Sequence, residues 1–123
     1  MNGGALLAGR RVLVVEDEAL VSMLLADLLT EAGCVVIGPA GTAQAALGLI
    51  EQEPIDCAIL DVKLTDGTSL PVAEALAARG IRFVLSTGYA RETIDPAYNG
   101  APVLQKVVNL DELIETIADI LRP

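Results

Sequence analysis

The chain predicts an α/β fold, a five-stranded parallel sheet with helices on both faces. Short runs that are almost wholly apolar and rich in Val and Ile recur along it, which is how strands covered on both faces read. A stretch with helical spacing of apolar residues follows each run. The connections are short, and strands joined through helices in this way lie parallel.

The strand runs are residues 12–15, 35–37, 57–60, 83–85 and 103–104. The first helix is expected over 19–32, with Leu20, Leu24, Leu25 and Leu28 on one face and Gly33 as the residue that stops it. The second spans 43–51 behind an N-cap at Thr42, and Gly48 inside it costs roughly 1 kcal/mol relative to Ala. The third spans 70–79, with Ser69 as N-cap, Pro71 in the first turn and Gly80 at the end. The stretch ARETIDPAYNG carries Pro96 and an Asn99-Gly100 turn signal, so the fourth helix is short or irregular. In the last helix Asn109 and Glu112 form a capping-box-like pair, and Leu110, Leu113, Ile114, Ile117 and Leu121 form the stripe to be buried.

At 123 residues there is one domain, taken as 10–122 behind a tail at 1–9. The last helix ends near the final residue, so no separate output domain is expected. A net charge of −9 repels phosphate backbones and suits cations or basic partners. Aromatic residues are 2% of the chain, too few for a base-stacking platform, and nucleic acid is excluded as a partner. The absence of histidine removes imidazole metal sites, His-dependent triads and any phosphohistidine on this chain. Cys34 and Cys57 stand singly in apolar stretches and read as buried thiols. No apolar run reaches membrane-spanning length and the start MNGGALLAGR lacks a signal-peptide layout, so a cytoplasmic protein with no membrane partner is expected.

Open parallel sheets place their sites at the carboxyl ends of the strands. The first strand ends on Glu16 and Asp17, the third on Asp61, the fourth on Thr87 and the fifth on Lys106. In the order 2-1-3-4-5 those four strands are neighbours, and the five side chains meet in one cleft. Three carboxylates brought together repel, and a hard, oxygen-seeking cation such as Mg2+ (or Mn2+) relieves the repulsion. Lys106 supplies a point charge and Thr87 a hydroxyl for phosphate oxygens. A carboxylate nucleophile, a metal and a phosphate clamp describe phosphoryl transfer onto an aspartate. Each feature alone has a plain structural explanation, such as an acid at a helix N-terminus or a solvated lysine. Their joint placement is what carries the reading.

With VVEDE at 14–18, ILDVKL at 59–64, STGYA at 86–90 and VLQK at 103–106, the chain resembles the receiver domain of two-component response regulators. The resemblance runs from Arg11 to Leu121 and implies the receiver fold. It implies that Asp61 is the phosphoacceptor, that Thr87 and Lys106 bind the phosphoryl group, and that Glu16, Asp17, Asp61 and the Lys63 backbone carbonyl hold Mg2+. It implies a sensor histidine kinase or histidine phosphotransfer protein as phosphodonor, a downstream protein target whose binding is switched, and no independent substrate turnover. FVLSTGY is similar, with Leu85 and Ser86 in place of Phe and Ala, to the motif of the single-domain subgroup bearing a Phe-Ala-Thr-Gly-type sequence. Val107 stands where the family usually has proline, and Val103 where many members carry an aromatic switch residue. Tyr89 and residues 90–99 are therefore expected to carry the signal by a change in order.

Three other readings use the same elements. A dehalogenase-like phosphatase needs a second acid two residues past the nucleophile, where Lys63 stands. A flavin- or nucleotide-binding protein needs a Gly-rich loop after the first strand, where EDEA stands. A binding module that is never phosphorylated would not need Asp61, Thr87 and Lys106 together.

Overall fold

The computed structural model describes residues 7–87, 95–98, 101–105 and 110–122. The sheet strands are β1 (Arg11–Val15), β2 (Val35–Ala40), β3 (Cys57–Leu60), β4 (Arg82–Thr87) and β5 (Val103–Gln105). Counted this way, the sheet order is β2-β1-β3-β4-β5 and every pairing is parallel. The order is the expected 2-1-3-4-5. The two-residue strands Lys63–Leu64 and Gly67–Thr68 form a separate antiparallel ladder and stand outside this numbering. The helices are α1 (Ala19–Glu31), α2 (Ala43–Gln52), α3 (Leu70–Ala78) and α4 (Leu110–Leu121). Between β4 and β5 the described residues form one 3-10 turn, Pro96–Tyr98.

Strand alternation sorts the core into two layers. Leu13, Val15, Ala58, Leu60, Phe83 and Leu85 point to the α2–α3 face. Val12, Val14, Cys57, Ile59 and Val84 point to the α1–α4 face, where Leu7 is also buried. Both faces are covered, which is why β3 reads as an unbroken apolar run with every residue buried. Both cysteines are free and buried, as expected.

Two expectations about helices need correction. The buried stripe of α1 is Ser22, Leu25 and Leu29, with Leu28 partly buried. Leu20 is 81% exposed and Leu24 faces outward with it. In a run of leucines, spacing alone admits more than one face; packing against β1 and β2 selects it. Ser69 does stand at the N-cap position of α3, but its hydroxyl makes no cap bond; it is engaged elsewhere, as described below. Thr42 caps α2 as expected, its hydroxyl oxygen accepting from the Ala45 amide at 3.0 Å. The expected cap Asn109 lies outside the described residues.

Where β1 meets β2 the register slips between Leu13 and Val15. Gly38 permits this with φ +96°, and a Cβ there would lie 3.0 Å from the Val14 carbonyl oxygen. The slip lets the Glu16 amide donate to the Ala40 carbonyl at 2.9 Å, fixing the end of β1 where the acids begin.

Candidate functional site

The acids sit where strand geometry ends and the chain turns. Val15 pairs with Leu60, so Glu16 and Asp61 leave adjacent strands at the same level. The Asp61 amide donates to the Val15 carbonyl at 2.8 Å, extending the ladder one bond into the site. Both carboxylates are buried. Leu60 in turn pairs with Leu85, which places buried Thr87 two residues further along the neighbouring strand, opposite Gln105 of β5.

Carboxylate oxygens of Glu16, Glu18 and Asp61 lie within 4.8 Å of one another. Glu16 Oε2 accepts from the Glu18 amide at 3.1 Å, and Asp61 Oδ1 accepts from the Val62 amide at 2.8 Å. An all-oxygen set this tight fits a hard divalent cation that keeps part of its water shell.

Of the residues expected here, Glu16 and Asp61 are brought together and Thr87 borders them. Asp17 is exposed, and its carboxylate accepts from the Thr65 hydroxyl at 3.4 Å, tying the end of β1 to the loop after β3. Lys63 is exposed and begins the small ladder opposite Thr68. Lys106 and Tyr89 lie outside the described residues, although β5 ends at Gln105, one residue before Lys106. Glu18 was not among the expected residues. The EDE triplet was its signal, since a residue two past Glu16 returns to the same side.

The loop after Asp61 is tightly held. The Ser69 amide donates to the Val62 carbonyl at 2.9 Å and closes the hairpin 62–69. At the tip, the Asp66 carboxylate accepts from the amides of Ala43 and Gln44 at 2.8 and 3.2 Å. These bonds to the start of α2 hold the Asp66 carboxyl below the usual carboxylate range.

The sequence profile of the response regulator receiver domain matches residues 12–118. The chain is a response regulator receiver domain. Among curated proteins, the receiver domain is 35% identical over 112 residues to the transcriptional regulatory protein PdtaR of Mycobacterium tuberculosis, covering 88% of this chain. It spans 55% of that protein's length, about half of it. It is 40% identical to SdrG from Sphingomonas melonis Fr1, with a TM-score of 0.81 over 94% of this chain and 98% of the other. The response regulator TrrA from Thermotoga maritima, solved in complex with Mg2+-BeF, is 29% identical with a TM-score of 0.81, over 91% of this chain and 99% of that one. The receiver domain therefore belongs to two-component signalling, in which such domains are phosphorylated on aspartate and interact with histidine kinases or phosphotransfer proteins. Among the described residues no helix is long and apolar enough to cross a membrane.

Proposed function

We propose that Asp61 is the phosphoacceptor of this receiver domain. The observation that carries the reading is the convergence of Glu16, Glu18 and Asp61 at the ends of adjacent parallel strands, bordered by Thr87. An Asp61 carboxylate oxygen attacks the phosphorus of a phosphohistidine. The P–N bond breaks, its electron pair stays with the imidazole, and an acyl phosphate forms. Glu16, Asp17, Asp61 and the Lys63 carbonyl are the proposed Mg2+ ligands, with Glu18 close enough to share the role. The cation supplies charge neutralisation for phosphoryl oxygens among these carboxylates. Thr87 donates its hydroxyl to a phosphoryl oxygen, and Lys106, next after β5, gives the balancing positive charge. The chain acts as an acceptor and switch rather than as a turnover enzyme.

The phosphohistidine lies outside these residues, which hold no histidine. The start of α1 supports a place for it. Leu20 and Met23 are 81% and 60% exposed and Leu24 lies beside them, an apolar patch beginning just after Glu18. A histidine-bearing helix of a sensor kinase or phosphotransfer protein covering that patch would reach Asp61 while burying Leu20 and Met23.

The test is incubation with Mg2+ and acetyl phosphate followed by intact mass. Wild type gains one phosphoryl group, and Asp61→Ala gains none while keeping its fold. Equal labelling of Asp61→Ala would remove the assignment.

A further inference from the structure

Ser69 and Tyr98 are 0% and 2% exposed, and their hydroxyls are hydrogen-bonded at 2.9 Å. The pair is unusual for both partners. A serine at the head of a helix ordinarily turns its oxygen to the helix amides, yet here the α3 amides receive no such bond. Tyr98 is the sole residue of the Pro96–Tyr98 turn that is buried, and it lies in the same core layer as Val72, Leu76, Phe83 and Leu85.

The bonds on either side of this pair form a continuous chain. Asp61 Oδ1 accepts from the Val62 amide at 2.8 Å, and the Val62 carbonyl accepts from the Ser69 amide at 2.9 Å. The Ser69 hydroxyl meets the Tyr98 phenol. The Tyr98 carbonyl accepts from the Ala101 amide at 3.3 Å, and the Pro102 carbonyl accepts from the Leu85 amide at 2.8 Å as β5 joins the sheet. One end is the Asp61 carboxylate and the other is the strand that leads into Lys106. Val103 of β5 is aliphatic and partly buried, with no ring to rotate.

We propose that Tyr98 is a positioning residue that couples the state of the Asp61 carboxylate to β5 through its hydrogen bond to Ser69. This rests on Asp61 being the phosphoacceptor. Phosphorylating Asp61 converts its carboxylate to an acyl phosphate and changes the acceptor that the Val62 amide sees. The Val62 peptide adjusts, and the Ser69 backbone bonded to it moves with it. The Ser69 hydroxyl then shifts relative to the phenol, and the turn before β5 follows. Tyr98 also borders an open groove of about 410 Å³ with Ile81, Phe83, Ala101 and Pro102.

The experiment is amide NMR with Mg2+ and beryllofluoride on wild type, Tyr98→Phe, Ser69→Ala and the double variant. In wild type the additive shifts Val62 and also Ala101, Val103 and Leu104. Each single variant keeps the Val62 shift and loses at least two-thirds of the shift at 101–104, and the double variant loses no more than either single one. A merely structural bond would lower stability in the variants but leave the induced shift at 101–104 at its wild-type size, and that result overturns the proposal. If wild type shows no change at Val62, the phosphoacceptor assignment itself fails, which separates the two ideas.

Discussion

At the scale of single residues, the acids divide into a buried pair and an exposed pair. Glu16 and Asp61 are held by ladder bonds, whereas Asp17 and Glu18 sit exposed on the turn that follows β1. Mg2+ should therefore raise the melting temperature, with a Kd of millimolar order, because few protein ligands replace water. At ten times Kd the gain is about 1.4 kcal/mol, a shift of a few degrees. Asp17→Asn should abolish the shift and Glu18→Gln should reduce it; thermal melts with and without Mg2+ check both. The buried thiols offer a different handle. Burial, then the neighbouring Cys34 and Asp56, push the Cys57 thiol up to about 12. A group whose folded pKa lies above its unfolded value supports the fold fully below the unfolded pKa. That support is lost as pH rises from about 9 toward 12, with a slope of at most about 1.4 kcal/mol per pH unit for one proton. Cys57→Ala should flatten the fall in the urea midpoint between about pH 9 and about pH 11, a window of roughly two pH units inside that range.

At the scale of elements, the start of α2 is stitched to the hairpin after β3 rather than capped by its own sequence alone. Thr42 serves the Ala45 amide, and Asp66 serves Ala43 and Gln44. Thr42→Ala should cost about 1 kcal/mol in urea unfolding. Asp66 is held ionised in the folded state, so its contribution is present above the unfolded pKa and is lost as pH falls through the lower folded value. Asp66→Asn should weaken the fold at neutral pH and remove part of its acid sensitivity. On α1, Leu20 and Met23 contribute little to the core. Replacing both by Ser should leave melting temperature and acetyl phosphate labelling unchanged while slowing phosphotransfer from a histidine donor by at least roughly tenfold, the scale expected when an apolar anchor is removed from an interface. Unchanged phosphotransfer would place the donor elsewhere.

At the scale of the whole molecule, arginines gather at one end of the sheet and a cluster of acids at the other. Arg10, Arg82 and Arg122 share a cavity with Asp56 at the end of the sheet remote from Asp61. Arg82 donates to the Ile120 and Arg122 carbonyls, and Arg11 pairs with Glu53 at 2.8 Å near that same end. The acids Glu16, Asp17, Glu18 and Asp61 gather at the other end. With −9 overall, the field draws cations toward the site and repels a phosphate backbone. This chain should show no binding to duplex DNA in an anisotropy titration at physiological salt, and specific micromolar binding would contradict that.

The apolar runs of β1 and β3, the acids and threonine at the strand ends and the Thr42 cap were legible in the chain because each depends on local pattern: period, burial on two faces, or one side chain reaching three residues on. The face of α1, the company Glu18 keeps and the diversion of Ser69 from α3 to Tyr98 were decided by the tertiary structure. Leucines at consecutive positions satisfy several helical faces equally, so only packing on β1 and β2 could turn Leu25 and Leu29 inward. Ser69 and Tyr98 are far apart in sequence, and nothing local to either residue foretells the other. A hydroxyl follows the partner left available to it when the chain closes around it, and burial then makes that bond costly to leave unmade.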